Sequence, residues 1–158
     1  MNSMSLEQYT SKLVGDIKDS IENDVKREAK IALREAINKT VYLEKKTYRP
    51  TYNLLNAVEV FDLKIGNRVA TFRVGINASK LIHDKKTPWD WNPHGGISGQ
   101  PFQEGLVEVL DQGTKSPNPI YSHTPNYFFD EGHKIMEEQL IVSMAESLRA
   151  KGWSVEIR

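Results

Sequence analysis

The first fifty residues contain a long proline-free stretch whose apolar residues recur at helical spacing. Steps of three and four separate them, the spacing of one helical face: Leu6, Tyr9, Leu13, Ile17, Ile21 and Val25. Ser5 and Gln8 fit a capping box at the start. The pattern predicts one long helix over residues 1–46, about 60 Å in length at 1.5 Å per residue. Such a helix exceeds the width of a 158-residue domain, so part of its apolar face is expected to need another chain.

A turn and a β-hairpin are predicted for residues 47–76. Two runs, 57–63 and 69–76, have the composition of strands. In the second run the apolar residues alternate with small or polar ones, as in a half-buried strand: Ala70, Phe72, Val74 and Ile76. Gly66 and Asn67 lie between the runs and accept the positive φ that a tight hairpin turn requires.

Residues 77–103 show no sustained periodicity and are rich in proline and glycine. Loops of this length inside a compact domain usually have a role. Trp89 and Trp91 lie in this segment, and exposed tryptophan surface is costly unless another surface covers it. We therefore predict that residues 77–103 form an interaction loop.

The last third of the chain, residues 104–158, is predicted to be mainly helical. A short helix is expected to stop at Gly113, since glycine suits the left-handed position after a helix. Thr124 and Pro125 fit the N-cap and the first position of the final helix, which Gly152 ends. Alternating apolar residues then predict a short closing strand: Trp153, Val155 and Ile157.

Together these segments predict an α+β fold in a single domain, residues 1–158. Its parts are a long N-terminal helix, a small antiparallel β-sheet with a hairpin, a C-terminal helix packed on the sheet and a short closing strand. No internal repeat is visible.

Composition argues against several classes of protein. The 21 basic and 21 acidic residues balance, whereas dedicated nucleic-acid binding needs a basic surplus. The chain has no cysteine, which excludes disulfides, thiolate metal sites and cysteine nucleophiles. No long apolar run indicates a signal peptide or a membrane span, so we expect synthesis in the cytoplasm.

The residues that offer most to a catalytic site are four near the start of the final helix: His123, Asp130, Glu131 and His133. Two histidines and a carboxylate could hold a hydrolytic metal ion. Their spacing matches no metal motif, however, and acidic residues are common at helix starts. No nucleophile elbow or phosphate loop is present. We expect no catalytic residue, no metal and no cofactor.

In their order along the chain, these segments resemble the tail-completion, head–tail joining and minor tail proteins of long-tailed bacteriophages. That family has a long charged N-terminal helix and then a Tyr-x-Arg-Thr-Gly-like turn before a hairpin, here residues 48–58. It also has an apolar segment ending in Glu-x-Gly-Thr, here residues 106–114, followed by a proline loop and an aromatic entry into the last helix at Tyr127-Phe128-Phe129. Pro50 and Tyr52 depart from the family's turn, which leaves the exact position in the neck open.

The resemblance implies a structural virion protein, made in the host cytoplasm, that forms an oligomeric ring joining or completing the tail at the head–tail junction. Its partners would be neighbouring neck, connector and tail-tube proteins. DNA would pass through the lumen without sequence-specific binding, and no membrane would be involved. We expect subunit-interface residues in the loop, on the first helix and in the closing strand, because buried aromatic residues dominate such contacts: Pro88, Trp89, Trp91, His94, Tyr9, Leu13, Ile17 and Trp153.

Two alternatives remain open from the sequence. One is a small cytoplasmic module for binding or regulation that dimerises through the long helix. The other is a metal-dependent hydrolase, which would need the acidic and histidine side chains to converge.

Overall fold

The computed structural model describes residues 5–43, 53–66, 69–81, 107–108, 110–113 and 124–157. Within them the fold is α+β, as predicted. The main elements are α1 (Leu6–Ser20), α2 (Lys26–Ile37), α3 (Asn53–Asn56), β1 (Val58–Ile65), β2 (Ala70–Ile76) and α4 (Phe128–Ala150). A 3₁₀ turn, Ala78–Lys80, lies at the start of the predicted loop of residues 77–103, and residues 82–103 of that loop lie outside the described part.

The predicted long helix is confirmed, and it contains two local widenings. π-Helical turns occupy Ile21–Val25 and Asn38–Tyr42, and the residues at each junction keep right-handed helical dihedrals, so the N-terminal helix runs unbroken over residues 6–42. Ser5 and Gln8 form the predicted capping box, with the Gln8 amide 3.3 Å from Ser5 Oγ and the Ser5 amide 3.0 Å from Gln8 Oε1. The helix is about 55 Å long at 1.5 Å per residue.

The hairpin is also confirmed. β1 and β2 pair antiparallel, with Val58 opposite Ile76 and Ile65 opposite Ala70. β1 carries one extra residue between Phe61 and Lys64, a β-bulge that locally bends a strand. Asp62 lies in the bulge with φ 54°, and its carboxylate accepts hydrogen bonds from the guanidinium of Arg73 on β2, the Nε bond being 2.8 Å long.

α4 lies against α2, and the hydrophobic core fills the space between α2, the start of α4 and the sheet. Phe128, in the first turn of α4, is fully buried in one cluster with Val58 of β1, which is how the C-terminal helix reaches the sheet. The buried members of that cluster are Leu33, Ile37, Val41, Leu54, Val58 and Phe128. Small residues let the two helices approach closely: a Cβ on Gly132 of α4 would lie 3.0 Å from Leu33 Cδ1.

The start of α4 differs from the prediction. Residues 124–127 are not helical, so Thr124 and Pro125 are not the N-cap and first residue of the helix. The helix begins at Phe128, after Tyr127 in the left-handed region with φ 50°. The Tyr127 side chain makes no capping hydrogen bond. The missing acceptor comes from Asp111, whose Oδ1 lies 3.0 Å from the Phe129 amide.

The predicted closing strand was wrong, because residues 153–157 join no sheet and the described sheet holds only β1 and β2. Arg149 instead donates to the Val155 carbonyl, with the Nη2 bond at 2.7 Å. The Val155 carbonyl is therefore satisfied by a side chain of α4. Gly113 does adopt the predicted positive φ, at 74°.

None of the described helices is both long and apolar enough to cross a lipid bilayer.

Candidate interaction surface

Most of α1 projects past the end of α4. α4 runs antiparallel to the N-terminal helix, and its last turns meet that helix at Ser20 and Asp19 through Ser147 and Lys151. Residues 6–16, here called the arm, therefore lie beyond the end of α4. The arm is about 15 Å long at 1.5 Å per residue.

One face of the arm is apolar and open. Leu6 is 80% exposed and Val14 45% exposed. A shallow depression of ≈ 510 Å³ lies on this face, lined by Leu6, Glu7, Thr10, Ser11 and Val14. The Thr10 hydroxyl donates to the Leu6 carbonyl at 2.9 Å, so it is already satisfied within the helix. Covering this face would leave the Thr10 hydroxyl with its hydrogen-bond partner.

The adjacent edge of the arm contacts the C-terminal segment. The Trp153 and Tyr9 rings meet edge to face, with centroids 5.0 Å apart and planes at 75°. Trp153 Nε1 donates to Asp16 Oδ2 at 2.8 Å, and Lys12 Nζ lies 5.7 Å from the Trp153 ring centroid. Trp153 thus takes the place of the closing strand as the contact that holds the C-terminal segment on the helix.

A polar cluster fixes the base of the arm to α4. Ser147 Oγ donates to Asp24 Oδ2 at 2.6 Å and lies 2.8 Å from Ser20 Oγ. Lys151 Nζ is 2.9 Å from Asp19 Oδ2. The hydrogen bond and the positive charge of Lys151 lower the pKa of Asp19, and the same hydrogen bond raises the pKa of Lys151. These contacts orient the arm relative to the body of the molecule.

The π-helical turn places one of these residues. Asp24 lies in Ile21–Val25, where the widened turn changes which side chains face α4. The apolar periodicity of the sequence passes through this turn without a break, so no sequence pattern indicated the π-helical turn. A serine pair across two helices also has no sequence motif, and the cluster was missed for the same reason.

The predicted interface residues fall into two groups. Tyr9, Leu13, Ile17 and Trp153 lie on or beside the arm: Leu13 and Ile17 are half-buried, and Tyr9 and Trp153 contact each other within the chain. Pro88, Trp89, Trp91 and His94 lie outside the described residues. The role of all eight residues in subunit contacts stays a prediction.

The candidate metal residues do not come together in the described part of the chain. Glu131 accepts a hydrogen bond from Lys39 of the N-terminal helix, and this bond and the positive charge of Lys39 lower the pKa of Glu131. His133 instead lies 3.2 Å from Glu137, one turn further along α4. Asp130 is exposed, and His123 lies outside the described residues. Nowhere in the described ranges do three histidine or acidic side chains form a group that could hold a metal ion.

A second depression, of ≈ 530 Å³, lies between the N-terminal helix and α4. Charges of both signs line it, including Asp24, Arg27, Glu138, Glu146 and Lys151. With Glu28 the lining has four acidic and two basic residues, and a surface group of carboxylates is not by itself a binding site. Of the two depressions described, the one on the apolar face of the arm is therefore the better candidate for binding another chain.

No protein-family model, no curated protein and no solved structure matches this chain.

Proposed function

We propose that this chain is a structural virion protein of a phage neck or tail end, which forms an oligomeric ring that joins or completes the tail at the head–tail junction. Its partners in this proposal are further copies of itself and the neighbouring connector and tail-tube proteins. Its role is assembly, with no catalytic step.

The observation that carries the proposal is the arm. A helix of about 55 Å in a chain of this size extends past the body that it packs against. Its exposed face carries Leu6 and Val14. An exposed apolar face on a helix that extends beyond its own domain is typical of a subunit that binds another chain.

A ring subunit needs a second contact surface, because each copy must touch a neighbour on two sides. α4 offers a separate apolar residue away from the arm, Ile141, which is 59% exposed. The equal numbers of acidic and basic residues support the same reading, since little net repulsion opposes the close approach of many copies. The resemblance of the sequence to phage neck proteins is the reason for proposing that this assembly is a ring at the head–tail junction.

The proposal is tested by the mass of the purified protein in solution, measured by light scattering alone and with the tail-tube protein of the same genome. A closed ring of several copies, alone or on addition of the tube protein, is expected. Electron microscopy of the same sample would show the ring directly.

Two outcomes would contradict the proposal. A monomer that does not bind the tube protein would contradict the ring proposal. Assays of divalent-metal binding and hydrolysis would then follow. A dimer that ignores the tube protein would favour the small dimeric binding module instead.

A further inference from the structure

We infer that the arm pairs with the arm of a second copy of this chain, antiparallel, about a two-fold axis that passes at the level of Lys12. This inference goes beyond the proposed function and does not rest on it, because the contact would form in the purified chain whatever larger assembly it enters.

The apolar residues of the arm are self-complementary in that arrangement. Leu6, Thr10 and Val14 follow one another at steps of four on one face. With the axis at Lys12, Thr10 of one copy lies opposite Val14 of the other, and Leu6 lies within about one turn of Ile17. Each copy therefore covers the exposed face of the other.

The charges beside this face select the antiparallel direction. Glu7 and Lys18 border the same edge of α1, about three turns apart, and both are exposed. Within the described part of the chain neither is in an ion pair. An antiparallel pair brings Glu7 of each copy close to Lys18 of the other, twice. A parallel pair in register would place Glu7 and Lys18 of the two copies on opposite edges of the contact, so neither ion pair would form.

The other features of the arm fit the same partner. Trp153 already occupies the edge formed by Tyr9 and Asp16, so the remaining face is the one with Leu6 and Val14. The capping box at Ser5 fixes the first turn, so this face is preorganised as far as Leu6. A two-fold contact uses one surface twice, so a single apolar face with one charge of each sign is sufficient.

The first experiment measures self-association against protein concentration by analytical ultracentrifugation. Val14→Glu is expected to raise the dissociation constant at least about tenfold, because the new carboxylate would be covered in the pair. Ile31→Glu is the matched control: Ile31 lies on α2 of the same long helix and is 44% exposed, against 45% for Val14. Equal effects of the two substitutions, or none from either, would overturn the inference.

The second experiment tests direction with charge reversal. Glu7→Lys and Lys18→Glu should each weaken pairing by roughly fivefold, from two ion pairs lost and replaced by repulsion. The double variant should restore wild-type affinity. Failure of the double variant to restore pairing would show that these residues do not face each other.

Cysteine cross-linking gives an independent measure of direction, since the chain has no cysteine of its own. A mixture of Thr10→Cys and Val14→Cys chains should form a mixed disulfide faster than either variant links to itself. Faster self-linking of each variant would indicate a parallel pair. Arm cysteines that form no cross-link and are inaccessible to solvent would indicate that another segment or protein covers the arm. Either result rejects the inference. Coverage by another segment of the same chain would also remove the arm as support for the ring proposal, whose own test is the mass in solution.

Discussion

Two glycines in the helices have opposite surroundings. A Cβ added to Gly15 of the arm would have no heavy atom within 4 Å. A Cβ added to Gly132 of α4 would lie 3.0 Å from Leu33 Cδ1 and 3.5 Å from Leu33 Cα. The first glycine weakens its helix with no gain in packing, whereas the second allows α4 to lie close against α2.

Alanine at these two positions separates helix propensity from packing. Gly15→Ala is expected to stabilise the protein by about 1 kcal/mol, the ordinary advantage of alanine over glycine inside a helix. Gly132→Ala has the same intrinsic advantage, but Leu33 must move to make room, so its gain is expected to be smaller or to become a loss. Urea unfolding of both variants measures the difference, and an equal gain at both sites would show that Leu33 is not tightly packed.

At the scale of elements, the start of α4 depends on a residue far away in the sequence. Asp111 is 3% exposed, and its carboxylate accepts from the Phe129 amide while its carbonyl accepts from the Tyr127 amide at 2.9 Å. Asn126 Nδ2 adds a 2.6 Å bond to the Leu110 carbonyl. Leu110 and Asp111 are therefore joined to the start of α4 by these hydrogen bonds.

Removal of that cap should loosen α4 at its first turn. Asp111→Ala is expected to cost about 1–2 kcal/mol, the usual effect of losing a capping oxygen. Asp111→Asn keeps an oxygen acceptor and is expected to lose less. Hydrogen exchange of the Phe129 amide, compared with amides in the middle of α4, measures the local effect. Unchanged exchange at Phe129 in Asp111→Ala would contradict the role of this carboxylate.

At the scale of the whole molecule, ion pairs connect elements that are distant in sequence. Lys39 and Glu131 link the N-terminal helix to α4, and Lys80 and Glu59 link the 3₁₀ turn to β1. Hydrogen bonds from Lys80 and Asn77 lower the pKa of Glu59, as the bond from Lys39 does for Glu131. The hydrogen bond between Lys39 and Glu131 also raises the pKa of Lys39.

These shifts determine how stability changes with pH. The folded pKa of Glu131 lies below its ordinary value of 4.5, so the unfolded chain binds more protons near that pH. The stabilisation is present above pH 4.5 and is lost as the pH falls through the folded pKa. We expect the thermal midpoint to fall on acidification from pH 6 to pH 3, and Glu131→Gln to reduce the slope. Glu138→Gln, an exposed change on the same helix, is the control, and identical slopes in both variants would contradict the prediction.

Local order in the sequence determined much of this fold. Apolar spacing from Leu6 onward indicated the long helix, because every residue of one helical face lies within a few positions of the next. Ser5 with Gln8 marked its start, and alternation in β2 marked the strand for the same reason. Gly113 was correctly expected at positive φ, since few other residues tolerate that conformation.

Tertiary structure decided which distant segments meet. Thr124 and Pro125 have the composition of a helix start, yet α4 begins at Phe128 because Asp111 supplies the cap from another part of the chain. The alternation at Trp153 and Val155 fits a strand, yet neither strand of the described sheet pairs with this segment, and Trp153 packs on Tyr9 instead. The sequence also predicted an uncovered apolar face on the long helix. Its position on the arm became clear only from the structure, which shows where α4 ends. Local sequence patterns reflect hydrogen bonds and helix or strand faces formed by residues close together in the chain. Which distant segment a residue contacts depends instead on how the rest of the chain folds.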